Sequence, residues 1–333
     1  KRQKIKSLVD LIGNTPIVQA KNLDTGKCNL FLKMESLNPG SSIKDRVALR
    51  IIEDAEAQGK LKKESTVVEA TAGNTGLGLA LIALLKGYKS KVVILDKMNH
   101  NKILHLKSLG AEVILARSDV GPDSPEHYVN VAKEVANNTP DSFMANQFTN
   151  MSNPQAHEYS TGPEILDQMS NDVDAVVCGV GTGGTISGLG KFFSEHSPKT
   201  EMVLADPKGS IVKDAVENKP LKKADYSWLV EGIGEDFIPE TLELKYIKKA
   251  YEVTNEEAFS MIRELALKEG ILGGSSSGTL ISAAIKYCKD QDKEKNVVTF
   301  VCDNGEKYLN TAYNEEWLKA VSYTHLTLPT IIT

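Results

Sequence analysis

Lys44 is the residue of this chain with the clearest potential for covalent chemistry. It lies in the run Asn38-Pro39-Gly40-Ser41-Ser42-Ile43-Lys44-Asp45-Arg46, where a glycine turn leads into an apolar helical pattern. A lone lysine at such a junction is commonly a solvated surface charge. A lysine amine also forms Schiff bases with aldehydes, so the choice between the two interpretations depends on the surrounding motifs.

Two glycine-rich loops downstream each end a strand pattern and begin a helix pattern. Free N–H groups at a helix start, together with the helix dipole, bind anions. The loop Val177–Thr185 has no lysine or arginine, so backbone amides and threonine hydroxyls would bind a phosphate there. The alternative for each is a capped helix start with a glycine turn. The loops are Glu69-Ala70-Thr71-Ala72-Gly73-Asn74-Thr75-Gly76 and Val177-Cys178-Gly179-Val180-Gly181-Thr182-Gly183-Gly184-Thr185.

A fourth junction, Gly270-Ile271-Leu272-Gly273-Gly274-Ser275-Ser276-Ser277-Gly278, offers serine hydroxyls at another helix start. Such a hydroxyl contacts a ring nitrogen or simply caps the helix. Lys44 and the three loops together predict a site for a charged small molecule. Pyridoxal phosphate (PLP) is the commonest aldehyde cofactor that a lysine holds as a Schiff base.

A dinucleotide-binding site is the competing interpretation of the loop Val177–Thr185. Gly179, Gly181 and Gly184 satisfy G-x-G-x-x-G, and Asp206 ends the next strand pattern at a suitable distance. This pattern favours an NAD-dependent dehydrogenase, but it explains neither Lys44 nor the loop at Asn74.

Short β-branched runs alternate with longer helical patterns along the chain. Alternation with continuous apolar strands predicts an α/β fold with a mostly parallel sheet covered on both faces, and ligands at the carboxyl ends of its strands. The predicted strands are Asn29–Met34, Thr66–Ala70, Lys91–Leu95, Glu112–Ala116, Ala175–Val180, Met202–Ala205 and Asn296–Cys302, and the predicted helices are Asp45–Ala57, Thr75–Leu85, Asn101–Leu109, Pro125–Asn137, Pro154–Met169, Thr185–Phe193, Asn255–Lys268 and Ser277–Lys289.

Composition excludes several classes of protein. The chain has 333 residues and a net charge of −5, and no sustained basic run predicts a nucleic-acid or membrane-surface partner. No apolar run approaches about 20 residues, so we expect a soluble, cytoplasmic protein. Four separated cysteines and six histidines without ligand spacing predict no metal site. Residues 321–333 form an uncharged, Thr-rich segment that we interpret as a non-native tail.

The four segments together resemble the β-family (fold type II) of PLP enzymes, in the cystathionine β-synthase and cysteine synthase group. The resemblance extends from Ile12-Gly13-Asn14-Thr15-Pro16 to Glu306-Lys307-Tyr308-Leu309. It implies two α/β domains with mostly parallel twisted sheets, similar to the tryptophan synthase β-chain, with PLP in the cleft between them. Residues 1–43 and 153–320 would form the large PLP-binding domain and residues 44–152 the smaller substrate-binding domain. A homodimer is also implied.

The resemblance further implies a role for each matching residue. Lys44 would be the Schiff-base lysine and the catalytic base, Asn74 would bind the ring hydroxyl oxygen, and Ser275 would face the pyridine nitrogen. The phosphate would be bound by Gly181, Thr182, Gly183, Gly184 and Thr185, and the substrate by Thr71, Ala72, Gly73, Thr75, Gln147 and Gly232.

The implied reaction is a β-replacement in amino-acid biosynthesis. A neutral Ser275 makes the ring a weaker electron sink than an aspartate would, which favours replacement through an α-aminoacrylate over transamination. Lys44 would take the α-proton and later return it.

Two segments, Asp206-Pro207-Lys208-Gly209-Ser210 and Glu231-Gly232-Ile233-Gly234-Glu235-Asp236-Phe237-Ile238-Pro239, resemble cystathionine β-synthases more than cysteine synthases. They favour L-homocysteine as the thiol, with Glu235 or Asp236 pairing with its amine, although either acid is equally explained as a solvated loop residue. The product would be L-cystathionine, as in transsulfuration. Sulfide, and hence cysteine synthase activity, is the alternative.

The donor is less constrained by the motifs. Ala72 stands where many members of the group have serine, and the lost hydroxyl slightly favours O-acetyl-L-serine over L-serine. The heme-binding segment and regulatory module of some relatives have no counterpart, so neither heme nor adenosyl-type control is expected. A catalytically inactive binding module is the remaining alternative, against which the intact Lys44 argues.

Borohydride reduction tests the assignment of Lys44. The reduced protein should carry a pyridoxyl mass on the peptide that contains Ser41–Arg46, and Lys44→Ala should lose both that adduct and turnover. A digest without the adduct on this peptide would end the PLP interpretation.

Overall fold

The structure is a computed structural model that describes residues 4–71, 73–96, 100–121, 123–221 and 226–323. The chain forms two compact units: unit 1 comprises Lys1–Gly13 and Asn38–Ala156, and unit 2 comprises Asn14–Leu37 and His157–Thr333. The division drawn from the sequence differs from these units at residues 1–13, 38–43 and 153–156, which belong to unit 1. Most of the predicted tail, residues 324–333, lies outside the described residues.

Ten strands and eleven α-helices occur in the described residues. The strands are β1 Ile17–Gln19, β2 Asn29–Lys33, β3 Thr66–Ala70, β4 Lys89–Leu95, β5 Glu112–Ala116, β6 Ser142–Met144, β7 Ala175–Gly179, β8 Glu201–Pro207, β9 Ile247–Val253 and β10 Asn296–Phe300. The helices are α1 Lys44–Ala57, α2 Asn74–Lys86, α3 His100–Ser108, α4 Tyr128–Asn138, α5 Ser152–Ala156, α6 Gly162–Gln168, α7 Gly184–His196, α8 Val212–Val216, α9 Asn255–Glu269, α10 Ser275–Lys289 and α11 Glu315–Ala320.

Unit 1 contains a four-stranded sheet with the order β5-β4-β3-β6, in which each pair of neighbours is parallel. All five residues of β3 are buried, as expected for a central strand of a parallel sheet. Helices α1 and α2 pack on this sheet through Val47, Ile51, Leu79 and Ile82. This packing places the start of α2 directly after the carboxyl end of β3.

Unit 2 contains a six-stranded sheet with the order β1-β2-β10-β7-β8-β9. Only β1 is antiparallel to its neighbour, and the other four pairings are parallel. Residues Ala175–Cys178 of β7 are fully buried. The sheets of both units confirm the predicted α/β fold with mostly parallel strands.

Helix ends follow local sequence signals. Helix α9 begins with a capping box in which Thr254 and Glu257 exchange side-chain to backbone hydrogen bonds. It ends at Gly270, which has φ +69°, and α2 ends at Gly87, which has φ +81°. Glycine adopts this left-handed conformation without the steric cost of a Cβ atom. No helix in the described ranges is long and apolar enough to cross a membrane.

Three strands and one helical irregularity were absent from the sequence prediction. Strands β1 and β6 have only three residues each, and β9 is an edge strand whose Lys248 and Lys249 are exposed. Lysine on an edge strand hides the apolar pattern and discourages pairing with other chains. The predicted helix Pro154–Met169 is interrupted by a π-helical turn at His157–Thr161, between α5 and α6.

Lys33 forms a buried ion pair inside unit 2. Its side chain is fully buried on β2, and Nζ lies 2.8 Å from Glu164 Oε2. The same ammonium donates to Gln168 Oε1 at 2.8 Å and to the carbonyl of Thr15 at 2.7 Å. Three acceptors around one buried charge offset its loss of hydration.

Replacing Lys33 should therefore destabilise the protein. We expect Lys33→Ala to lower the free energy of unfolding by about 3 kcal/mol, since the buried ion pair with Glu164 is broken. Denaturant unfolding measures the loss. Lys199→Ala is the matched control because Lys199 is an exposed partner of Asp172, and its loss should stay below about 1 kcal/mol. Equal losses in the two variants would contradict the structural role of the buried pair.

Candidate active site

Lys44 is the first residue of α1 and is half-buried. The turn before it is held by Asp45, a buried residue whose Oδ2 accepts the N–H of Gly40 at 2.5 Å. The backbone N–H of Lys44 donates to Ser42 Oγ at 3.2 Å. Helix α2 approaches closely here, because a Cβ atom on Gly78 would lie 3.2 Å from the carbonyl oxygen of Lys44. The base of the Lys44 side chain is thus fixed by its surroundings.

The loop between β3 and α2 supplies the second group of predicted residues. Gly73 caps α2, and its N–H donates to Thr71 Oγ1 at 3.1 Å. Asn74 and Thr75 form the first turn of the 13-residue helix, where backbone N–H groups have no intrahelical partner. A carboxylate bound here would meet the positive end of the helix dipole. Ala72 lies outside the described residues.

Gln147 joins this loop in unit 1. It follows β6, which pairs in parallel with β3, so both strands end at the same edge of the sheet. Thr75 Oγ1 donates to Gln147 Oε1 at 2.5 Å, and both residues are buried. The structure therefore brings together Thr75 and Gln147, which are 72 residues apart in the sequence.

In unit 2, the predicted phosphate loop connects β7 with α7. Gly183 has φ +85° and caps the helix, which begins at Gly184. A Cβ atom on Gly183 would lie 2.7 Å from the Cβ of Leu242, so a side chain is excluded by both space and conformation. The hydroxyl of Thr241 donates to the carbonyl of Thr182. These contacts hold the loop with its backbone N–H groups at the helix start.

The loop Glu231–Gly234 contacts the phosphate loop and Ser275, which are both predicted to bind the cofactor. The N–H of Gly234 donates to the carbonyl of Val180 at 2.7 Å, next to the phosphate loop. A Cβ atom on Gly181 would overlap the carbonyl oxygen of Gly232. The N–H of Glu231 donates to Ser275 Oγ at 3.0 Å. Gly232 thus lies beside the phosphate loop, and its predicted contact with substrate stays a prediction.

Ser275 begins α10 and is almost fully buried. Its oxygen accepts the N–H of Glu231, so its own proton remains for donation. A neutral pyridine nitrogen can accept a hydrogen bond from this hydroxyl. This geometry agrees with a ring nitrogen that is bound without protonation.

His157 was missed by the sequence analysis, because nothing in the predicted helix around it marks a functional residue. It is fully buried in the π-helical turn, with Nδ1 2.9 Å from Thr161 Oγ1 and Nε2 3.3 Å from Thr185 Oγ1. A phosphate dianion only accepts hydrogen bonds, so a Thr185 hydroxyl that binds one must donate its proton to it. The Thr185 oxygen then accepts from Nε2–H, and Nδ1 accepts from Thr161.

Asp206, the acidic residue of the dinucleotide interpretation, is used within the protein. It is 1% exposed, and its Oδ2 accepts the N–H of Lys213 at 2.8 Å. Burial raises the pKa of this carboxyl to about 6. A buried carboxyl that caps the following backbone is not placed to bind a ribose hydroxyl. The dinucleotide interpretation therefore loses its specific support.

The residues present fit a cofactor with a phosphate monoester and a neutral pyridine nitrogen. The phosphate loop offers helix-start N–H groups and hydroxyls. Ser275 offers a proton that its other hydrogen bond does not use. Lys44 would hold the cofactor's aldehyde carbon. Asn74, at the first position of α2, would meet the ring hydroxyl oxygen.

Comparison with known proteins assigns the family. Residues 8–303 match the profile of the family described as pyridoxal-phosphate dependent enzyme. The chain is 40% identical to a cystathionine β-synthase of Saccharomyces cerevisiae over 326 residues, which cover 94% of this chain and 64% of that protein. It is also 40% identical to a cysteine synthase of Staphylococcus aureus over 312 residues, which cover 93% of this chain and 97% of that protein.

Solved structures agree with this assignment. An O-acetylserine-dependent cystathionine β-synthase from Helicobacter pylori superposes with a TM-score of 0.84 at 33% identity, covering 93% of this chain and 99% of that one. The chain belongs to the pyridoxal-phosphate-dependent enzyme family. It is similar to enzymes named cystathionine β-synthase and cysteine synthase, and PLP is the cofactor of its family.

Substitution of His157 tests the contact with Thr185. We expect His157→Leu to raise the dissociation constant of PLP about tenfold, since a hydrogen bond that supports a charged group contributes about 1.5–3 kcal/mol. His157→Gln should recover part of the loss, because its amide N–H can donate to the same oxygen. Equilibrium dialysis or absorbance titration of the apoenzyme measures both variants.

The control for this experiment is His196→Leu. His196 lies at the other end of α7, where its Nδ1 is 2.9 Å from the carbonyl oxygen of Phe192, and its replacement should leave PLP affinity unchanged. Equal affinities in His157→Leu and the wild type would show that Thr185 does not need this partner.

Proposed function

We propose that this chain catalyses a β-replacement that forms L-cystathionine from L-homocysteine and either O-acetyl-L-serine or L-serine. Relatives named cystathionine β-synthase match 92–96% of the chain at 37–40% identity. The chain covers about 55–64% of the length of these relatives.

The observation that carries the choice of homocysteine is the fixed position of Glu235. Its N–H donates to Ser210 Oγ at 3.1 Å, and its carbonyl accepts the N–H of Ile211 at 3.0 Å. These bonds join the two segments that resemble cystathionine β-synthases. They fix the main chain of Glu235, a half-buried residue that follows the loop contacting Ser275 and the phosphate loop. We propose that its carboxylate pairs with the ammonium group of an amino-acid thiol, a group that sulfide lacks.

The protein's own groups have defined tasks in this reaction. Bound PLP supplies an electron sink that makes the α-proton of an amino acid removable. Lys44 Nζ, released from the cofactor by the donor's amine, would carry that proton away and return it to the same carbon. The helix start at Thr71–Thr75 and the amide of Gln147 would bind the donor's carboxylate. This orientation fixes which bond of the α-carbon breaks.

Cysteine synthase activity is the second candidate. The specific observation in its favour is the 40% identity to the Staphylococcus aureus cysteine synthase, which the chain matches over 97% of that protein. Both candidates share the cofactor and the role of Lys44, and O-acetyl-L-serine can be the donor in either. They differ in the sulfur nucleophile that attacks, so the acceptor must be tested directly. The expected homodimer and cytoplasmic location stay predictions.

Acceptor specificity is tested with one preparation of holoenzyme. We expect kcat/KM with homocysteine to exceed that with sulfide for the better donor, with cystathionine identified by mass spectrometry. Glu235→Gln should raise the KM for homocysteine about tenfold, which corresponds to about 1.4 kcal/mol, and leave the reaction with sulfide unchanged.

Asp236→Asn is the matched control for Glu235, because Asp236 is the exposed neighbouring acid of the same loop. Homocysteine kinetics like those of the wild type are expected for this variant. A larger kcat/KM for sulfide would replace the proposal with cysteine synthase. An effect of Asp236→Asn alone would move the ammonium contact to that residue.

A further inference from the structure

Glu69 is a buried carboxylate at the carboxyl end of β3 for which the sequence analysis found no role. It is 3% exposed, and both of its oxygens accept backbone N–H groups. Oε1 accepts from Ala70 at 3.0 Å and Oε2 accepts from Gln147 at 3.2 Å. Burial raises the pKa of this carboxyl to about 7, and hydrogen bonds from Ala70, Gln147 and Asn146 act in the opposite direction.

Gln147 is held by hydrogen bonds at its backbone N–H, its backbone carbonyl and its side-chain oxygen. The N–H of Gln147 donates to Glu69, and its carbonyl accepts from Asn153 Nδ2 at 2.9 Å. Its side-chain Oε1 accepts from Thr75. An amide whose oxygen is engaged in this way presents its two N–H donors in the remaining direction. Among the described residues, no hydrogen bond uses those two donors.

The backbone before Gln147 is shaped to suit this carboxylate. Asn146 has φ +55°, in the left-handed region that asparagine enters more readily than most side chains. This turn directs the N–H of Gln147 toward Glu69 Oε2. Because β6 is the neighbour of β3, the turn and the carboxylate meet at one edge of the sheet.

We propose that Glu69 is a positioning residue for the donor's carboxylate, because it anchors the turn that aims the Gln147 amide into the carboxylate-binding loop. The inference rests on the proposed function, in which this loop binds the donor amino acid. Glu69 itself does not touch the donor. Its carboxyl group suits this task because each of its two oxygens accepts one backbone N–H.

Two substitutions separate this role from simple burial of a polar group. Glu69→Gln keeps the shape, but its NH2 group faces an N–H donor and loses one of the two anchoring bonds. Glu69→Asp keeps the charge and withdraws both oxygens by one methylene. In each variant the side-chain amide of Gln147 should no longer be oriented toward the carboxylate-binding loop, while the apolar residues of β3 stay packed.

The test uses PLP holoenzyme and two ligands, L-serine and L-serine methyl ester, titrated by the change in cofactor absorbance. The wild type should bind the free carboxylate more tightly than the ester. The preference is the dissociation constant of the ester divided by that of L-serine. It should fall about tenfold in Glu69→Gln and Glu69→Asp, as expected for the loss of a charge-assisted hydrogen bond. Affinity for the ester should change little.

The matched control is Glu112→Gln on β5 of the same sheet, where the exposed carboxylate pairs with Lys91. Its preference should equal that of the wild type. Gln147→Ala should lose the same preference as the Glu69 variants. Adding Glu69→Gln to Gln147→Ala should then have less than about a twofold further effect, since both changes remove one interaction.

Three results would overturn the proposal. An unchanged preference in both Glu69 variants shows that the anchor is not needed. A parallel loss of affinity for both ligands shows that Glu69 only supports the fold, as do fully multiplicative effects in the double variant. A wild-type holoenzyme that does not respond to L-serine, O-acetyl-L-serine or L-cysteine contradicts the proposed function itself, and with it the ligand assigned to this loop.

Discussion

We propose that the site binds anions with backbone N–H groups in place of cationic side chains. Both predicted anion-binding loops follow a parallel strand and start a 13-residue helix, and neither contains lysine or arginine. A backbone cradle works only if the ligand can approach closely and if the loop does not move. Glycine serves the first condition, because Gly181 and Gly183 carry no side chain beside their N–H groups, and protein atoms fill the space that a Cβ atom would need.

The second condition is that the loops do not move, and buried polar groups meet it by hydrogen bonding to them. In unit 1, Glu69 and Asn153 hold the backbone of Gln147. In unit 2, Thr241 holds Thr182, and His157 holds Thr185. Such groups carry a desolvation cost, and they are tolerated because each is hydrogen-bonded. Relatives named cystathionine β-synthase and cysteine synthase both match this chain at 40% identity, so we propose that acceptor specificity resides in surrounding loops such as the one at Glu235.

Much of the framework was predictable from local patterns. The strands β3 and β5 and the helix α1 were located to within one residue, because continuous apolar runs and glycine breaks mark them. Edge strand β9 was missed because its exposed lysines obscure the apolar pattern. The π-helical turn at His157 was missed because it is an irregularity inside a helical pattern.

The sequence by itself determined the chemistry: Lys44, the asparagine loop, the phosphate loop and Ser275 are contiguous motifs whose residue types restrict the cofactor. Only the tertiary structure decided which groups support them. Glu69 and Gln147 are 78 residues apart, and His157 and Thr185 are 28 apart. Their contacts arise from the placement of β6 beside β3 and of the π-helical turn against α7. Local periodicity carries no information about such pairings, because strand order is set by the packing of the whole sheet.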